Sequence, residues 1–189
     1  MSVDGSGYQR WATFLESWQS GAARDPHGLP HLAEDDYPAD VWARIVRRVT
    51  EALDVRLASW ADGLERDLAS ARDEFEVARA LVQSRRGLAA IHTVAGHPGL
   101  PEPLPRQLRA AVDAQIHAAQ RALEDGVEAA RRAGVDDRQV QARLRTIREN
   151  ALTVTAIPDP IHRAGRVATA PRQPRRRLIV DRPRDRSEE

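Results

Sequence analysis

The distribution of proline constrains the fold of this chain more than any other feature. All twelve prolines lie outside two long windows, residues 39–97 and 106–157. Because a proline inside a helix costs about 3 kcal/mol, proline-free stretches of this length favour long helices. The run GHPGLPEPLP, residues 96–105, separates the windows with four prolines and two glycines. The sequence therefore predicts two helical arms joined by a corner at residues 96–105.

Apolar residues recur along both arms with one period. Steps of 4, 4, 3, 4, 4 and 3 connect Val49 to Ala71 in the first arm and Leu108 to Ala130 in the second. This eleven-residue repeat nearly matches the α-helix, so we expect the first arm over residues 38–95 to be almost straight and, if unbroken, about 85 Å long. Gly63 and Gly87 are its expected kinks. The short corner predicts that the arms form an antiparallel, coiled-coil-like hairpin. The full first stripe is Trp42, Val46, Val49, Leu53, Leu57, Trp60, Leu64, Leu68, Ala71, Phe75, Ala78 and Val82.

Two shorter helices flank the arms. Residues 6–20 place one aromatic-rich face toward the protein, and we expect this helix to cover the start of the first arm, far from the corner. A third helix begins after Gly134 with Asp136 as its N-cap, and we expect it to cover residues 49–63 of the first arm. The predicted fold class is all-α. The apolar faces of these helices are Tyr8, Trp11, Leu15 and Trp18, and then Val140, Leu144, Ile147 and Ala151.

The last 33 residues differ chemically from the rest. Residues 157–189 contain nine arginines, five acidic residues and five prolines. This composition is typical of a disordered tail, so we predict a helical domain at residues 1–156 and a tail at 157–189. Within the tail, Arg175, Arg176 and Arg177 precede the apolar triplet Leu178, Ile179 and Val180. The triplet is a candidate docking segment for a partner protein.

Composition excludes several classes of protein. The chain has no cysteine, which rules out disulfides and thiolate metal sites, and no apolar run of the roughly 18 residues that a membrane span needs. No signal-peptide pattern precedes the first helix, so a cytoplasmic location is expected. All 29 basic residues are arginine, which fits either biased genome composition or recognition of carboxylates and phosphates. No phosphate loop or catalytic triad pattern occurs, and we expect no cofactor and no metal.

Residues 130–144, ARRAGVDDRQVQARL, contain one further pattern. A small residue stands four before a turn glycine, apolar and capping residues follow it, and apolar residues recur six and ten after it. These positions are Ala130, Gly134, Val135, Asp136, Val140 and Leu144. The segment at residues 129–150 resembles the helix-turn-helix of bacterial repressors. The resemblance implies that the third helix enters a major groove, with Arg138, Gln141 and Arg145 among the residues that face bases or phosphates.

Two functions therefore lead. The first is a non-enzymatic helical scaffold or adaptor that dimerises, because a lone hairpin leaves a wide stripe exposed, and that engages a partner through its arginine-rich tail. The second is a DNA-binding regulator that uses residues 129–150, with Arg175, Arg176 and Arg177 on phosphates. A small helical enzyme or metal protein comes third, with His92, His97 and His117 near the corner as its ligands.

Overall fold

The computed structural model describes residues 5–23 and 25–153, and all regular structure in these residues is helical. The all-α class is therefore confirmed. A short 3-10 turn, Glu34–Asp36, lies in the loop before the second helix. The helices are α1 (Gly5–Gln19), α2 (Ala39–Ser70), α3 (Glu74–Ala95), α4 (Leu104–Arg132) and α5 (Asp137–Glu149).

The prediction of one unbroken first arm was wrong. The helix stops at Ser70, Ala71 takes an extended conformation, and α3 starts after Asp73. The Asp73 carboxylate accepts a hydrogen bond from the Glu76 backbone N–H at 2.8 Å, and the Glu76 carboxylate accepts one from the Arg72 N–H at 2.7 Å. This reciprocal pair satisfies donors that a broken helix leaves free, in the manner of a capping box.

The break allows α3 to pack against α2 instead of extending it. The Trp60 indole N–H donates to the Ser84 carbonyl at 3.1 Å across the two helices. The apolar faces of the two helices form one core. The chain folds back because burying this apolar area stabilises the protein more than the loss of a few backbone hydrogen bonds at the break destabilises it. Phe75, which the stripe predicts to be buried, is 74% exposed, since α3 turns a different face inward. The buried face of α3 includes Val77, Leu81, Leu88 and Ile91.

The N-terminal helix lies against α2, as expected, but it also contacts the corner. The Trp11 ring meets the His97 ring edge-on with centroids 5.2 Å apart, and its indole N–H donates to the Pro30 carbonyl at 2.8 Å. The Leu32 N–H donates to the Gly99 carbonyl at 2.7 Å. The predicted separation of the aromatic helix from the corner was therefore wrong. Because α2 and α3 fold back on each other, the start of one and the end of the other lie together.

The last helix packs on α3 and α4 rather than on the first half of α2. Val140, Leu144 and Ile147 form its buried face, as the spacing predicts. The Leu152 N–H that follows the helix donates to the Gln120 side chain at 2.9 Å, which ties the chain back to the middle of α4. The expected cover over residues 49–63 was wrong because α3 already occupies that face of α2.

Removing the cap at the α2–α3 break is expected to weaken the fold. Asp73→Ala deletes the acceptor for the Glu76 N–H and should lower the free energy of unfolding by about 1 kcal/mol. Asp73→Asn, which caps nearly as well, is the matched control. Urea unfolding followed by circular dichroism measures both. An alanine variant as stable as the asparagine variant would mean that the cap contributes nothing at this break.

Candidate functional site

The three residues of α5 assigned to nucleic-acid contact are all exposed. Arg138 and Arg145 are seven residues apart, close to two full turns, so they lie on the same side of the helix. Gln141 is exposed between them. Among the described residues, neither arginine forms an ion pair. These side chains are therefore available to an external partner.

The remaining predicted site residues belong to the tail. Arg175, Arg176 and Arg177, with the triplet Leu178, Ile179 and Val180, lie outside the described residues. Their assignment to phosphate contact and to partner docking stays a prediction.

The turn between α4 and α5 is fixed by hydrogen bonds between backbone groups. Gly134 has a positive φ of 93°, which glycine adopts without strain. Its N–H donates to the Arg131 carbonyl at 3.0 Å, and the Val135 N–H donates to the Ala130 carbonyl at 3.1 Å. This is a Schellman motif, in which the carbonyls at the end of α4 find partners. The motif turns the chain so that α5 runs back along α4.

A groove lies between the α2–α3 break, the C-terminal half of α4, and α5. Its volume is about 810 Å³. The α4 wall consists only of small and apolar residues, which are Ala122, Leu123, Gly126, Val127 and Ala130. The facing walls contribute apolar, polar and charged residues, which are Leu68, Arg72, Asp73, Glu74, Val77, Val135, Arg138, Gln139, Val140, Ala142, Arg143 and Ile147.

Several apolar residues in this groove remain partly open to solvent. Leu68, Leu123 and Val127 are only half-buried, although they pack against the core, and Val135 is 41% exposed. Gly126 sits on the α4 wall, and a methyl group added there meets no atom within 4 Å. The groove is therefore open to solvent and lined in part by apolar side chains. We treat the groove as a candidate binding site because these apolar side chains have room for further contacts.

An ion pair joins two walls of the groove. The Arg143 guanidinium donates from Nε to both carboxylate oxygens of Glu74, at 2.9 and 3.0 Å. Asp73 is engaged as the cap of α3. The side chains of Arg72 and Arg138 have no acidic partner among the described residues. The charged walls therefore carry two guanidinium groups without an ion pair among the described residues.

The sequence prediction missed this groove, although the sequence contains a signal for it. The stripe of α4 includes Leu123, Val127 and Ala130, and a two-helix hairpin cannot cover a stripe of that width. The sequence alone predicts that a second copy, or an equivalent partner, covers that excess. The groove itself depends on where α5 and the α2–α3 break come to lie, and no local pattern specifies this.

The corner histidines do not form a metal site. Within residues 5–23 and 25–153, no group of three or more His, Asp or Glu side chains is arranged to hold a metal ion. The Nε2 atom of His92 instead lies 3.3 Å from the Oδ1 atom of Asp113. The His97 Nδ1 accepts the Gly99 N–H at 2.9 Å, so this nitrogen is unprotonated in the folded protein.

Both histidines have lowered pKa values. Burial lowers the pKa of His92 below its usual 6.5, while Asp113 opposes the shift and Arg109 adds to it. Burial also lowers the pKa of His97, against a hydrogen bond with the Pro26 backbone, and nearby His27 adds to the shift. Burial dominates in both cases because the imidazolium loses hydration.

The free energy of unfolding should therefore decrease as the pH is lowered below 6.5, the usual pKa of histidine. In that range the unfolded chain binds protons that the folded protein refuses, so lowering the pH favours unfolding. Urea unfolding at about pH 7.5 and pH 5.5 measures the effect. A His92→Gln, His97→Gln double variant should show a smaller pH difference. Equal or greater stability of the unaltered protein at the lower pH would contradict the assignment.

Comparisons with known proteins leave the site to be argued from its geometry. The chain matches no protein-family model, no curated protein and no solved structure. Among the helices of the described residues, none is both long and apolar enough to cross a membrane.

Proposed function

We propose that this chain is a non-enzymatic helical adaptor that binds a helical segment of a partner protein in the groove between α4, α5 and the α2–α3 break. The observation that carries the proposal is the apolar trough of about 810 Å³, whose Leu68, Leu123 and Val127 are only half-covered. Amphipathic helices dock into grooves of this kind through apolar residues spaced three, four and seven apart.

The dimensions of the trough fit a short helix. Its lining residues on α4 run from Ala122 to Ala130, which corresponds to about 12 Å of helix axis. An occupant of two to three turns covers that length. The open side also favours a helix over a small molecule, because small-molecule sites enclose most of the ligand's surface. No strand edge is present in the described residues to receive an extended peptide.

Dimerisation and the tail are parts of the same proposal. A second copy would cover apolar surface that one chain leaves open, and Leu178, Ile179 and Val180 offer a separate docking segment. Sedimentation at micromolar concentration tests the first part, where a monomer would exclude the dimer. Deleting residues 160–189 tests the second, since a partner that binds the shortened chain equally well does not use the tail.

A display selection tests the groove with random sequences in place of a chosen partner. Peptides that bind the full chain are first selected from a library of random helical peptides. Peptides that also bind Gly126→Trp, in which the added side chain fills the groove from the α4 wall, are then removed. We expect the survivors to share apolar residues at helical spacing. If the depletion removes every binder, or no peptide is enriched, the groove is not a helix-binding site.

A second candidate function rests on three exposed polar residues of α5, one of which, Arg138, also lines the groove. Arg138, Gln141 and Arg145 are exposed there without ion partners among the described residues, which favours a DNA-binding regulator. Duplex selection from a random pool at about 100 mM salt tests it, because phosphate contacts weaken steeply with salt. Arg138→Ala should then cost about 1–3 kcal/mol at one base position. Replacing Arg175, Arg176 and Arg177 should weaken all sequences alike. No enriched motif would exclude the regulator.

A further inference from the structure

We propose that the partner segment is an acidic amphipathic helix, with Asp or Glu along one flank of its apolar stripe. This inference rests on the adaptor function proposed above and specifies the chemistry of the occupant. It follows from the asymmetry of the groove, in which one wall is uncharged and the other two present arginine.

The uncharged wall is that of α4. Its lining residues between Ala122 and Ala130 carry no charge. The acids of α4 in this stretch do not face the groove: Glu124 accepts a hydrogen bond from Gln120 at 2.7 Å, and Glu128 lies 3.8 Å from the Arg131 guanidinium. Asp125 is exposed and does not line the groove. An occupant therefore meets only apolar surface on this side.

The opposite walls carry five charged residues with unequal engagement. Glu74 is held by Arg143 through two hydrogen bonds, and Asp73 serves as the α3 cap. Arg72 and Arg138 have no such partner for their side chains among the described residues. The lining thus has three cations against two acids, and both acids are already in use.

A helix bound in the groove would cover Arg72 and Arg138, and the effect on its affinity depends on the charge of its flank. A helix with an uncharged flank would take water from two guanidinium groups and leave them unpaired, which is unfavourable. A basic flank would add like-charge repulsion. A carboxylate flank forms charge-assisted hydrogen bonds with the planar guanidinium fork, often through both oxygens. The same groups therefore reject two occupants and favour the third.

Defined peptides test the inference. Three helical peptides share one leucine stripe and differ only along one flank, which carries Glu, Gln or Arg. Their dissociation constants for the full chain are measured by fluorescence anisotropy at low and high salt. We expect the Glu peptide to bind about tenfold more tightly than the Gln peptide at low salt, the Arg peptide to bind most weakly, and screening to shrink these differences.

Variants assign the preference to the groove. In an Arg72→Gln, Arg138→Gln double variant the advantage of the Glu peptide should fall below about threefold, because the added carboxylates lose their partners. Arg145→Gln is the matched control, since Arg145 is exposed on α5 but does not line the groove. It should leave the preference unchanged. Thermal melts establish that the variants fold.

The possible outcomes separate this inference from the adaptor function. If all three peptides bind alike and Gly126→Trp blocks them, the acidic partner is excluded and the helix-binding groove stands. If the Arg peptide binds best, or Arg145→Gln abolishes the preference as fully as the double variant does, the inference is also overturned. If no peptide binds, or Gly126→Trp blocks none of them, both proposals fail.

Discussion

Replacing Trp11 by alanine is expected to lower the free energy of unfolding by about 3–5 kcal/mol. The side chain is fully buried, contacts the His97 ring and donates to the Pro30 carbonyl. It therefore joins α1, the loop before α2 and the corner in one place. Its loss removes apolar burial and leaves the carbonyl of half-buried Pro30 without this partner.

Two controls separate these contributions. Trp11→Phe keeps one aromatic ring but loses the N–H donor and part of the buried indole, so we expect a smaller loss of about 1–2 kcal/mol. Phe14→Ala removes a half-buried aromatic from the same helix and should cost less than Trp11→Ala. Urea unfolding followed by far-ultraviolet circular dichroism measures all three. An alanine variant within about 1 kcal/mol of the unaltered protein would mean that α1 does not close over the corner as described.

Much of the fold could be predicted because its signals are local. Residues 6–20 were expected to be helical and α1 runs over Gly5–Gln19. The predicted corner at residues 96–105 covers the interval 96–103 between α3 and α4 and overlaps the first two residues of α4. Asp136 caps α5 as its position after Gly134 predicts. Proline, glycine and capping residues act over a few residues, so their effects can be derived from the sequence.

The α2–α3 break was missed for a physical reason. Residues 71–73 contain neither proline nor glycine, and the apolar period continues through Ala71 and Phe75. Asp73 followed by Glu76 has the spacing of a capping box, and this was the available signal. Whether such a box starts a new helix depends on how much apolar surface the fold-back buries. That is a property of the whole chain.

The groove could not be predicted for a related reason. The apolar residues of its walls, such as Leu123, Val127 and Val140, were expected to be buried by helix packing. Of these three residues only Val140 is buried, because α3 and α5 meet through Glu74 and Arg143 and leave part of α4 uncovered. Periodicity identifies which face of a helix is apolar. It does not determine how much of that face its neighbours cover.

Filling the groove at Gly126 is expected to abolish binding of an apolar helix while leaving the fold intact. A side chain added there meets no atom within 4 Å, so Gly126→Trp adds bulk to open space. Removing a glycine from a helix also favours folding by a few tenths of a kcal/mol to about 1 kcal/mol. Affinity should fall at least about a hundredfold, equivalent to about 2.7 kcal/mol. A variant that binds less and melts no lower cannot be explained by unfolding.

Two matched variants isolate the effect of bulk in the groove. Gly126→Ala makes the same helix more stable without filling the trough, so it should bind as the unaltered protein does. Gly63→Trp introduces the same large side chain on α2, where an added Cβ likewise meets no atom within 4 Å and which lies outside the groove. It should also leave affinity unchanged.

Calorimetric titration of one amphipathic helical peptide into these four proteins tests the helix-binding groove most directly. We expect a single site of equal affinity in the unaltered protein, Gly126→Ala and Gly63→Trp. In Gly126→Trp we expect affinity at least about a hundredfold weaker, with an equal or higher melting temperature. Equal affinity in all four proteins would contradict the assignment of the groove between α4, α5 and the α2–α3 break as the binding site.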